Sequence, residues 1–138
     1  MPTFEYRRLL RANTVIKVEY KTIKTPTLTG VALSKNLSST GINIVMPHTL
    51  ERGERIELTI FIPEQETPIS ARGKVMWQAE CEYIPSSKKH YYSTGIQFNY
   101  MSSQDAITTS DFVRVVLQEE SQERVKKIIQ LLESLKKS

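Results

Sequence analysis

Hydrophobic and polar residues alternate along most of this chain. Ile16, Val18 and Tyr20 are interleaved with Lys17, Glu19 and Lys21, the two-residue period of a strand with one buried face. Pro26 and Gly30 punctuate the turn that follows. Val31 and Leu33 carry a second predicted strand up to Asn36, and Gly41 opens a third with Ile42, Ile44 and Met46 on one face. Pro47 ends it, and Arg52-Gly53-Glu54 reads as a turn. Ile56, Leu58, Ile60 and Ile62 give the cleanest alternation and a fourth strand. After a polar connection at 63–68, Ile69, Ala71, Gly73, Val75 and Trp77 form a fifth, with Trp77 assigned to the core. Residues 79–91 are polar, with a hairpin tip at 85–89. Tyr92, Thr94, Ile96, Phe98 and Tyr100 form a sixth strand.

The period changes after Met101. Ser102 or Ser103 suits a helix N-cap, and Asp105 falls in the first turn, where the helix dipole favours a carboxylate. Phe112, Val113, Val116 and Leu117 share one helical face that should lie against the sheet. Gln118 to Arg124 is polar; Val125, Ile128, Leu132 and Leu135 then recur at heptad spacing, widened by Ile129. Six short strands followed by helix predict a mainly β protein: a six-stranded antiparallel β-barrel with a C-terminal α-helical segment. The expected division is a barrel unit over 1–120, with a basic arm at 1–12 and a packing helix, and an amphipathic helical extension over 121–138. That extension has two readings. It folds back on its own barrel, or it builds a homo-oligomer or pairs with a partner helix.

Length and composition narrow the class. A chain of 138 residues suits one domain and can bury a core without disulfide staples. Hydrophobic content of 39% and charged content of 25% are those of a soluble globular protein. The net charge of +4 is a mild bias toward anionic partners. Lys and Arg are spread along the chain rather than gathered in the stripe expected of a DNA binder. No apolar run approaches the roughly 20 residues that cross a bilayer. The start lacks a signal-peptide stretch, and Cys81 is the single cysteine, so the expectation is a cytoplasmic protein. His48 and His90 form no ligand-spaced cluster with Cys81, which argues against a metal. No nucleophile elbow or glycine-rich phosphate loop appears, so no enzyme is expected. Glu51, Glu54 and Glu57 read as a solvated edge, and Tyr91 and Tyr92 as packing residues.

Two short motifs carry chemistry. Arg7 and Arg11 stand four residues apart, on one side of the chain whether it is helical or extended. Paired guanidiniums suit a phosphate, a guanine edge or a purine face. Arg8 adds to the local positive field. Asn36-Leu37-Ser38-Ser39-Thr40-Gly41 reads Asn-x-Ser-x-x-Gly. Two residues apart, Asn36 and Ser38 are expected on one strand face, with donors and acceptors for a base edge or ribose-phosphate oxygen. Gly41 is expected to allow a positive-φ turn close to a ligand. Taken singly, the first motif is commonly a solvated arm and the second a turn; their order ahead of six strands favours a joint role.

With these motifs the chain resembles the PilZ domain, a bacterial receptor module for cyclic di-GMP. The matching residues are Arg7, Arg8 and Arg11, then Asn36, Ser38 and Gly41, with softer matches at 73–77 (Gly-Lys-Val-Met-Trp) and 94–98 (Thr-Gly-Ile-Gln-Phe). Asn36 stands where the family often has Asp. The resemblance implies a six-stranded barrel without catalysis, no cofactor, and cyclic di-GMP on the outer face. It implies that Arg7 and Arg11 hold phosphates and guanine while Asn36 and Ser38 contact the other base edge. The expected mechanism orders the mobile arm onto the barrel, with Leu9 and Leu10 gaining a packing surface, and signals to an unidentified bacterial protein partner. The alternative is a ligand-independent adaptor for a motility, pilus or secretion component. A single-stranded nucleic-acid binder would interleave exposed aromatics with basic residues on a strand face, a pattern not seen here.

Overall fold

The computed structural model describes residues 12–81 and 90–136. Six strands follow in chain order: β1 Lys17–Thr22, β2 Thr29–Leu37, β3 Gly41–Met46, β4 Arg55–Ile60, β5 Ile69–Glu80 and β6 Tyr92–Met101. One helix, α1, spans Ser103–Lys136. The strands close into a barrel in the order β1-β2-β3-β6-β5-β4, every neighbouring pair antiparallel. A six-stranded antiparallel barrel with a C-terminal helix is the architecture expected from the alternation.

The inward positions are those that the two-residue period selects. Val18, Tyr20, Ile42, Ile44, Met46, Ile56, Leu58, Ile60, Ile69, Ala71, Val75 and Ile96 are all buried. Burying each large aliphatic side chain stabilises the fold by roughly 1.5–3 kcal/mol. Tyr20 reaches one end of the core, where its hydroxyl hydrogen-bonds His48 Nδ1 at 2.6 Å; burial pushes its phenol pKa up from the ordinary value. Ser34 is inside as well. Its hydroxyl accepts the Ile16 N–H at 2.8 Å and donates to the Thr14 carbonyl at 2.6 Å, fastening the segment that leads into β1.

Two strands depart from strict alternation. In β2, Val31 and Leu33 are exposed, while Ala32 and Ser34 point inward. A register shift between Ser34 and Asn36 then brings Leu37 inside. In β5, a shift between Val75 and Trp77 breaks the alternation. Trp77 is therefore not core but 43% exposed on the outer face, a correction caused by the bulge, which no two-residue period can register.

The Ser102 hydroxyl caps α1 by accepting the Asp105 N–H at 3.1 Å, and Asp105 accepts the Ser70 N–H of β5 at 3.2 Å. Thr109 and Val113 are buried, with Phe112, Val116 and Leu117 packed against the core. From Gln118 the helix continues unbroken through the polar stretch. Val125, Ile128, Ile129, Leu131 and Leu132 are each at least 51% exposed, so this stripe does not fold back on the barrel as one reading of the tail expected. No helix among the described residues is long and apolar enough to cross a membrane.

Ile44 has no solvent exposure at the centre of the core. Ile44→Ala should lower unfolding free energy by about 2–5 kcal/mol, read as a shifted urea midpoint at constant slope. A loss well below this would mean that the barrel collapses around the void.

Candidate functional site

The Asn36–Gly41 motif spans the end of β2, the 38–40 loop and the start of β3. Leu37 pairs inward with Ile42, and Asn36 lies opposite Asn43. Directly opposed residues of an antiparallel pair share a face, and Asn43 sits between inward Ile42 and Ile44, so both asparagines face outward. The row continues across the barrel, because Asn43 pairs with Gly95 of β6 and Gly95 with Trp77 of β5. Asn36, Asn43, Gly95 and Trp77 thus form one line over four strands. At about 4.8 Å per strand step the line is roughly 14 Å long.

Each member is held by local chemistry. The Asn43 Oδ1 accepts the Ser93 hydroxyl at 2.9 Å, which fixes the side chain although the residue is only 6% exposed. The Trp77 indole lies over Gly95. A Cβ there would stand 2.2 Å from the indole nitrogen, so only glycine admits the ring. The row therefore offers amide donors and acceptors at one end and a flat aromatic surface at the other. Such a pairing suits a purine, by edge hydrogen bonds and stacking.

Ser38 and Gly41 serve differently from expectation. Ser38 lies beyond the end of β2, so it does not share a strand face with Asn36. Its hydroxyl accepts the N–H groups of Thr40 at 3.2 Å and Gly41 at 3.1 Å. Its backbone N–H donates to the Gly41 carbonyl at 2.9 Å. Serine is here a loop organiser, its hydroxyl standing in for a backbone partner. Gly41 is not at positive φ; among the described glycines only Gly53 is. Its need for hydrogen instead of Cβ is steric, since a Cβ would lie 2.5 Å from the Ile96 carbonyl oxygen. Glycine lets β3 and β6 approach at this corner, where the Thr40 carbonyl also accepts the Phe98 N–H at 2.8 Å.

Arg7, Arg8 and Arg11 lie outside the described residues, but the root of the arm does not. Ala12 and Leu37 exchange two backbone hydrogen bonds of 2.9 Å each, and Asn13 donates its N–H to Glu120 of α1 at 3.2 Å. The segment that follows Arg11 is thus tied to the strand end that carries Asn36 and to the helix. Sequence reasoning missed Asn43, Ser93 and the outward Trp77. The available signal was the Trp77-to-Gly95 pairing, which appears only once register is known. Among the described residues no group of three or more His, Cys, Asp or Glu could hold a metal ion.

Loss of the Ser38 hydroxyl should leave two loop N–H groups short of a partner, so Ser38→Ala should cost about 1–2 kcal/mol. Gly41→Ala should cost more, because backbone and not a flexible side chain blocks the methyl. Thermal unfolding followed by circular dichroism ranks them; a Gly41→Ala protein melting with the parent would contradict the close approach.

Comparisons with known proteins agree with this geometry. The family model described as PilZ domain matches residues 5–126. No curated protein matches the chain by sequence. Among solved structures, the chain is similar to the Bacillus subtilis inhibitor of motility, MotI/DgrA, at 20% identity over 83% of this chain and 51% of that one, with a TM-score of 0.59. It is similar to the PilZ domain of Escherichia coli YcgR, solved with c-di-GMP, at 14% identity over 85% and 95% of the two chains and a TM-score of 0.61. It also resembles MrkH of K. pneumonia, at 13% identity over 82% and 50% and a TM-score of 0.66. The chain spans about half the length of MotI and of MrkH, and nearly all of the YcgR domain. At these identities the likeness is one of fold. Since the family match takes in the arginine arm, the whole barrel, the Asn-x-Ser-x-x-Gly corner and the barrel-packing part of α1, the chain belongs to the PilZ domain family.

Proposed function

We propose that this protein is a cyclic di-GMP receptor that closes its arginine arm over the outer row of the barrel and passes the signal to a partner protein. The observation that carries this reading is the Ala12–Leu37 backbone pair, which roots the arm at the strand end bearing Asn36. Family membership and the c-di-GMP in the YcgR domain support the choice of ligand. The ligand has two phosphates and two guanines. Arg7 and Arg11 supply guanidiniums for phosphate and guanine; Asn36 supplies an amide for a base edge; Trp77 supplies a stacking face. Arg8 strengthens the local positive field. Ser38 and Gly41 act by holding the corner in shape. The nucleotide alters output only because it binds the closed arm better than the open one. No step in this reading is catalytic.

The distal half of α1 supports self-association. Its exposed stripe of Val125, Ile128 and Leu132 has heptad spacing, broadened by Ile129 and Leu131. Contiguous exposed apolar surface of this kind marks an interaction site, and a self-complementary stripe is best covered by a second copy.

Two outcomes are expected. In calorimetric titrations with cyclic di-GMP, using cyclic di-AMP and GTP as controls, Arg11→Ala should weaken binding at least about tenfold, from loss of charge-assisted hydrogen bonds, and Asn36→Ala should weaken it less. Undiminished affinity in Arg11→Ala would sink the assignment, and no binding by the parent would leave the ligand-independent adaptor. In light scattering, a chain ending at Glu120 should have the mass of one copy while the full chain is larger; equal masses would remove the self-association reading.

A further inference from the structure

Between the 38–40 loop and α1 lies an open groove of about 510 Å³, with Val113 and Leu117 as its apolar members and Ser39, Gln118 and Ser121 among its polar ones. None of these residues belongs to the Asn36-to-Trp77 row. We infer that this groove is the docking site for Leu9 and Leu10 of the chain's own N-terminal arm. The inference deepens the receptor reading and rests on it for the nucleotide that favours docking.

Where the described chain begins is the first reason. Ala12 is hydrogen-bonded to Leu37, two residues before Ser39. Asn13 is hydrogen-bonded to Glu120, the neighbour of Ser121. Both tethers are thus made to residues one or two positions along the chain from groove-lining ones. Leu10 is two residues from Ala12 and Leu9 three, so at 3.3–3.6 Å per residue they reach at most roughly 7 and 10 Å from it.

The second reason is the arm's own pattern, Arg7-Arg8-Leu9-Leu10-Arg11. In an extended arm Leu10 points opposite to Arg7 and Arg11; in a helical arm Leu9 does. Either way, turning both guanidiniums to the nucleotide directs a leucine to the other side. Two adjacent leucines in an otherwise basic segment need cover from water. Half-buried Leu117 provides it on α1, above the buried Val113 one turn before it, so docking links the ligand corner to the helix that carries the exposed stripe.

Disulfide trapping in a Cys81→Ser background tests this. One chain carries Leu10→Cys with Gln118→Cys, and a control carries Leu10→Cys with Lys21→Cys. Lys21 is exposed on β1 and pairs with Thr29, eight residues along β2 from Leu37, or roughly 26 Å. Under mild oxidation with saturating cyclic di-GMP, the Gln118 pair should close at least several-fold faster than the Lys21 pair, read on non-reducing gels. Equal rates would overturn the docking site. Calorimetry on the same chains separates the two readings. Nucleotide binding without preferential closure keeps the receptor and loses the groove. Preferential closure without nucleotide binding keeps the groove and loses the receptor.

Discussion

The placement of β3 between β2 and β6 is the constraint on which the rest depends. Its inward residues Ile42, Ile44 and Met46 fill the core, while outward Asn43 links Asn36 on one side to Gly95 and Trp77 on the other. A slip of one residue would exchange the two sets, turning an amide into the apolar core and three large apolar side chains outward. Gly41 holds this register at the corner, where only hydrogen fits beneath the Ile96 carbonyl. The same packing that stabilises the barrel therefore aligns the outer row.

The corner also gathers what leads away from the barrel. Ser38 closes the loop, Leu37 receives the root of the arm, and Asn13 reaches Glu120 on α1. A segment tethered on both sides is sensitive to both. Ala12 and Asn13 join the strand end to the helix by a short path, and the helix ends in an apolar stripe that the barrel leaves uncovered. In the proposed receptor this would be the route from ligand to partner, made of backbone pairing and apolar contact rather than long-range charge. The exposed ion pairs, such as Arg114 with Asp111 at 2.7 Å and Lys126 with Glu123 at 3.4 Å, contribute little to it, as exposed pairs generally do.

Strand count, the barrel, the helix start and most of the core were legible by eye. Ile56, Leu58 and Ile60 alternate cleanly and are all inside; the Ser102 hydroxyl caps the helix as its chemistry suggests, with Asp105 in the first turn. Trp77 keeps the parity of the core under a strict two-residue period, but β5 shifts register just before it, and after a bulge the parity of every later residue inverts. Val31 and Leu33 precede the shift in β2 and face outward with their partners Glu19 and Lys17. Ser38 and Gly41 shape their loop instead of taking the strand-face and positive-φ roles expected of them. Spacing shows that a serine and a glycine recur, not whether a hydroxyl faces solvent or its own loop.

The sequence by itself determined which residues could be buried, where the backbone must turn, and which side chains have the chemistry for an anionic purine ligand. Those are local properties, written in periodicity and side-chain type. Only the tertiary structure decided that Asn36, Asn43 and Trp77 stand in one row, that the arm is rooted at Leu37, and that a groove lies between the loop and α1. Each of these depends on hydrogen-bonded register between segments up to tens of residues apart, and register is a property of pairs of strands, not of any one of them.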